Sequence, residues 1–186
     1  MKNYDKAIGM LFMLLTISFL ILLFTNQVFL HWVFARHQNQ LSWFIRPLFI
    51  VPFCYFAFRR SWAGIWVTVF CMLTSMFWFN QPAIVSEDVK AFLEFEIEWI
   101  SGKWNPKKLL FALLAPFSFI LLGLAFWGRS IWFGIAVIIL MAFGKMTWGI
   151  YQAGQSGKSM IVPALIGLFI CAGSVYYGFK RLQRKP

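Results

Sequence analysis

The stretch Ala7–Leu30, AIGMLFMLLTISFLILLFTNQVFL, decides the class of fold. From Ala7 to Phe24 it carries no charge, and its apolar residues fall on every side of a helix rather than along one stripe. A helix that is apolar all round belongs in a membrane or in the heart of a large core. The run outlasts the hydrophobic region of a secretory signal, about 7–15 residues, and no A-x-A-like cleavage site follows it. It is expected to remain as a first membrane span.

The rest of the chain agrees. Of 186 residues, 61 % are apolar and 12 % charged, against roughly 45–50 % and 25 % in soluble domains. That balance excludes a water-soluble globular domain, and it excludes disorder, because so apolar a chain collapses or inserts. The length accommodates about five to seven helices of membrane-crossing size.

Working outward, the next apolar run is Leu41–Phe58, LSWFIRPLFIVPFCYFAF. Between Arg46 and Arg59 it offers about 18 Å of helix, too little for a core of roughly 30 Å. The helix must therefore begin near Leu41, with Arg46 below the membrane surface, and Pro47 and Pro52 should kink it. Further runs cover 62–79, 109–127, 131–151 and 160–179. The expected fold is all-α: one polytopic membrane helix bundle over 1–186, with six transmembrane helices at about 7–30, 41–58, 62–79, 109–127, 131–151 and 160–179.

Charge sets the expected orientation. Placing the N-terminus in the cytoplasm puts Lys2, Lys6, Arg59, Arg60, Arg129, Lys180, Arg181, Arg184 and Lys185 inside, as the positive-inside rule asks. Both termini are then cytoplasmic, in what is expected to be a bacterial inner membrane. Trp32, Trp43, Trp62, Trp78, Trp99, Trp104, Trp127, Trp132 and Trp148 fall near span ends or in the outer loop, where an amphipathic ring sits at headgroup level.

Five of the six acids lie in the outer segment Ser86–Ile100, SEDVKAFLEFEIEWI. Val89, Phe92, Leu93, Ile97 and Ile100 recur at helical spacing, Ser86 suits an N-cap, and Glu87 and Asp88 suit the positive end of the dipole. Leu93–Trp99 also alternates as a strand would, but a lone strand leaves its ladder unpaired. An interfacial amphipathic helix over about 87–100 is expected, with Glu96 near the edge of its apolar face.

Two cations lie inside expected spans, Arg46 and Lys145, and no acid does. An ionisable group at such a depth costs at least about 2.5–3.5 kcal/mol. Counting along the helices places Arg46 about 7–8 Å below the outer surface and Lys145 about 21 Å from the inner one. Both thus share the outer half with Glu94, Glu96 and Glu98. Two outcomes follow. An acid pairs with a cation and pins the amphipathic helix to the bundle, or the cations hold an anionic ligand such as a phosphate, a carboxylate or a lipid headgroup. Arg46, Lys145, Glu94, Glu96 and Glu98 are the candidate ligand-binding residues.

Other motifs carry less. Gly157-Lys158-Ser159 has the letters of a phosphate loop, but Gln152 stands where its first glycine belongs and no strand precedes it. His31 and His37, six apart, do not share a helix face, and they read as interfacial residues with no metal. Cys54, Cys71 and Cys171 form no C-x-x-C pair and read as small buried hydrophobes. Gly167 and Cys171 are spaced to let helices approach closely. No nucleophile–base pair marks an enzyme, so no catalytic residue, cofactor or metal is assigned, and the basic residues follow topology rather than a nucleic-acid-binding face. The expected function is that of a small membrane transporter, channel or lipid- or anion-handling protein with an outer polar site. The alternative is a non-enzymatic accessory subunit packed on a larger membrane partner, or on copies of itself.

Overall fold

A computed structural model describes residues 2–183. Arg184 and Lys185, two of the expected inner cations, lie outside the described residues. Among the described residues every regular element is helical.

α1 (Lys2–Thr25) ends where the Asn26 side chain accepts the Phe29 N–H and starts α2 (Gln27–His37). The expected span 7–30 is therefore two helices, divided at a residue whose short amide competes for backbone partners. The second run also divides, into α3 (Leu41–Leu48) and α4 (Ile50–Phe58). Pro47 and Pro52 have no N–H for the carbonyls of Trp43 and Leu48, and the break falls between them at Phe49. α5 (Trp62–Thr74) closes in a 3-10 turn, Ser75–Phe77. α6 (Glu87–Ser101), α7 (Pro106–Trp127), α8 (Ile131–Ala153), a 3-10 segment Ser156–Met160 and α9 (Ile161–Gln183) complete the chain.

Among the described residues five segments are long and apolar enough to cross a membrane: Asn3–Thr25, Leu41–Phe58, Pro106–Trp127, Ile131–Ala153 and Ser156–Leu182. The expected span 62–79 is a shorter apolar helix, Trp62–Phe77.

Packing is closest where small residues permit it. A Cβ added to Gly167 of α9 would come within 2.5 Å of the Pro47 Cβ, so α9 touches α3 at its proline. One turn on, Cys171 Sγ donates to the Pro47 carbonyl at 3.1 Å. Two cores follow. One joins Phe53, Cys54, Leu122, Phe126, Ile138 and Phe179 of α4, α7, α8 and α9. The other joins Phe19, Leu30, Phe34, Trp43, Phe92 and Leu93 of α1, α2, α3 and α6. In the most apolar window of each of these segments 17 to 28 % of the residues are buried, and the others are half-buried or exposed.

Candidate functional site

α6 brings the acids to the bundle, and its sequence explains how. Ser86 Oγ accepts the Val89 N–H at 3.4 Å, with Glu87 and Asp88 in the first turn. Val89, Phe92 and Leu93 are buried. Continuing that stripe by three or four residues reaches position 96, so Glu96 is carried onto the packed side with the apolar residues. It is 15 % exposed at its side chain and meets Lys145 Nζ of α8 at 2.8 Å. Lys145 also lies 4.8 Å from the Trp148 ring and 5.5 Å from that of Phe92. Glu94 and Glu98 are exposed, and the structure does not bring them to the site.

Arg46 of α3 lies near enough to Glu96 for their charges to interact. Its direct partner is His37, which sequence reasoning placed at an interface. His37 ends α2, is 3 % exposed and has the rings of Phe34 and Trp43 beside it. Trp43 is itself buried rather than belted at the surface: its indole N–H donates to the His37 carbonyl at 2.9 Å, and its ring meets Phe92 of α6.

The hydrogen-bond chain fixes the state of the imidazole. Ser42 Oγ donates to the Asn39 carbonyl at 2.7 Å. A hydroxyl has one hydrogen, so His37 Nδ1, 2.7 Å from that oxygen, must be the donor between them. Arg46 Nη1 lies 3.2 Å from Nε2, and a guanidinium only donates. His37 is thus neutral, with its proton on Nδ1 and a lone pair toward Arg46. Burial, first, and the charges of Arg46 and Lys145, after it, hold its pKa well below 6.5.

The cluster therefore carries one unit of positive charge: Arg46 and Lys145 against Glu96, with His37 neutral. Among the described residues Arg46 has one hydrogen-bond partner, the His37 ring, and the Nε–H and Nη2 groups have none. That fork of unspent donors fits a phosphate or carboxylate. Among the described residues no group of three His, Cys, Asp or Glu could hold a metal ion.

No sequence signal pointed to His37 or Ser42 as part of the site. Their meeting with Arg46 depends on the turn at 38–40, which folds α3 back onto the end of α2. The clue available was indirect: an embedded arginine with no acid in any span needs some neutral acceptor.

The fold and the cluster define a class: an all-helical chain with helices apolar enough to cross a membrane and a positively charged polar cluster packed among them. No family model, curated protein or solved structure matches this chain.

Proposed function

We propose that this chain is a multi-pass membrane protein that handles a small anion, a phosphate or a carboxylate, at the Arg46 cluster on its outer side. The observation that carries the reading is the uncompensated charge of that cluster, with donors of Arg46 unspent. A single acid held by Lys145 leaves Arg46 with no carboxylate in direct contact, and its unbonded nitrogens are not buried, so an incoming anion can reach them.

The reading takes six crossings, with both termini cytoplasmic. Trp62–Phe77 supports the sixth. At one end Trp62 N–H donates to Asp5 of α1, and at the other the Phe77 carbonyl accepts from Arg36 of α2. The segment thus runs between the two ends of the bundle, although its length is about 25 Å. Basic residues gather at the end holding Arg59, Arg60, Arg129, Lys180 and Arg181, which supports a cytoplasmic placement. α6 then lies at the outer interface.

A second reading, an accessory subunit, draws support from how little of each crossing segment is buried. It predicts a stoichiometric partner on mild solubilisation, whereas the anion reading predicts activity of the chain alone or as copies of itself.

A melting screen of the purified protein against phosphate, carboxylates and anionic lipids tests the anion reading. At least one anion should raise the melt. Lys145→Met frees Glu96 to pair with Arg46, so it should shrink that shift and leave the unliganded melt nearly unchanged. If no anion moves the wild-type melt, or if the shift is equal in Lys145→Met, the reading fails.

A further inference from the structure

One group in the Arg46 cluster can change its charge without breaking an ion pair. Arg46 keeps its proton at any pH the fold survives. Lys145 and Glu96 hold each other at 2.8 Å. His37 alone has an open place for a proton, the Nε2 lone pair that faces Arg46 Nη1 at 3.2 Å. Its other nitrogen is engaged, since Nδ1–H donates to Ser42 Oγ at 2.7 Å and Ser42 donates onward to the Asn39 carbonyl. The ring is buried between those of Phe34 and Trp43, so packing and that chain hold its orientation.

An anion at Arg46 acts on that lone pair in two ways. If Nη1 turns toward the anion, Nε2 is left a buried acceptor with no donor, which is costly. A proton on Nε2 removes that cost and makes the ring a second charged donor. The field changes in the same direction. Burial, and then the positive charges of Arg46 and Lys145, keep the ring neutral. An anion cancels part of that charge, so the ring takes a proton more readily. The other charge in the cluster is Glu96 of α6, already against Lys145 of α8. Arg36, next to His37 on α2, is turned to the Phe77 carbonyl and Asn80. α1 and the turn at 75–77 give this core Phe19, Leu23 and Met76, none of them charged.

We propose that the site takes up a proton together with its anion, on His37 Nε2, and that the anion is a phosphate dianion. The proposal rests on the anion reading above and adds the proton as a second ligand. The Arg46 Nη1–H to Nε2 hydrogen bond breaks, and an Nε2–H bond forms with a proton from water. That proton enters where the unbonded Arg46 nitrogens are not buried, and Nδ1–H stays on Ser42. His37 and Arg46 then both donate to one anion. With His37 protonated the cluster carries two units of positive charge, Arg46, Lys145 and His37 against Glu96. A phosphate dianion cancels both, whereas a monocarboxylate leaves one.

Nitrogen NMR of the full chain in detergent tests it. His31 is exposed, and His31→Gln leaves His37 as the sole histidine. At pH 7 its ring should show one protonated and one bare nitrogen, and two protonated nitrogens once inorganic phosphate saturates the site. Calorimetry with sulfate, a dianion that holds no proton at this pH, counts the protons directly in buffers of different ionisation enthalpy. The wild type should take up about half a proton or more per sulfate, and His37→Gln, which keeps Arg46, should bind sulfate with none. The NMR result decides the matter even where His37→Gln does not fold. Phosphate bound with the ring still singly protonated, or equal proton uptake in His37→Gln, would overturn the proton assignment and leave the anion reading standing. If neither phosphate nor sulfate binds the wild type, the anion reading falls, and this proposal falls with it.

Discussion

At the α6 end, Glu96 meets the embedded Lys145 at 2.8 Å, and Arg46 leans on a neutral histidine. At the opposite end, Asp5 meets no side-chain cation among the described residues, and instead accepts from a serine hydroxyl and from the first N–H groups of α5. The first carboxylate answers charges that lie within segments apolar enough to cross a membrane. The second answers a helix dipole at the edge. The difference teaches where charge is costly in this molecule. An amphipathic helix brings one acid against Lys145 by direct contact and near Arg46 by charge, while the arginines of the turns, Arg60 and Arg129, lie against a backbone carbonyl and a phenyl ring.

The largest effect should come from breaking the costly end. Glu96→Gln leaves Arg46 and Lys145 with no carboxylate, and should destabilise the detergent-solubilised protein by about 2 kcal/mol, below the value for a fully buried pair because Lys145 is 43 % exposed. Double-mutant cycles sharpen this. Glu96→Gln with Lys145→Met should couple by about 1 kcal/mol or more, and Glu96→Gln with Arg46→Leu by less, since the direct contact is to Lys145. Strict additivity of the first pair would remove the ion pair from the account.

Next is pH. The folded protein holds His37 neutral, with Arg46 of α3, Glu96 of α6 and Lys145 of α8 as the charges around it. Its folded pKa is below 6.5, so the unfolded chain takes up the proton first as pH falls. The stabilisation is complete above that pH and is lost progressively below it, with a slope approaching about 1.4 kcal/mol per pH unit. Unfolding curves between pH 7 and 5 should show this slope in the wild type and its loss in His37→Gln. Parallel curves for the two proteins would refute the neutral assignment.

Smaller effects belong to the turn end. Asp5→Ala removes the carboxylate at α5 and should cost about 1 kcal/mol. Arg60→Gly relieves a left-handed arginine and loses its bond to Trp127, so chemical denaturation should place it within about 0.5 kcal/mol of the wild type. A loss at the turns as large as that of Glu96→Gln would erase the contrast between the ends.

Much of this was legible in the sequence. The apolar runs locate the long helices because a membrane helix needs no pattern finer than length and hydropathy. Glu96 stood out as the acid at the edge of an apolar face, and Lys145 as a cation in need of one. The divisions at Asn26 and Phe49 were less visible, since they depend on which backbone carbonyls lose their donors. The burial of His37 and Trp43 was not legible, because it comes from tertiary packing of α2 and α3 under α6. Glu94 and Glu98 shared the composition of Glu96 but not its position in the helical stripe.

The most direct test is equilibrium binding of inorganic phosphate to the solubilised wild type, Glu96→Gln and Arg46→Gln. In this account Glu96 is an internal anion that competes with the external one, and Arg46 is the group that receives it. Glu96→Gln should therefore bind phosphate about tenfold more tightly, a gain of about 1.4 kcal/mol, while Arg46→Gln should lose binding. Equal binding by wild type and Arg46→Gln, or weaker binding by Glu96→Gln, would contradict it.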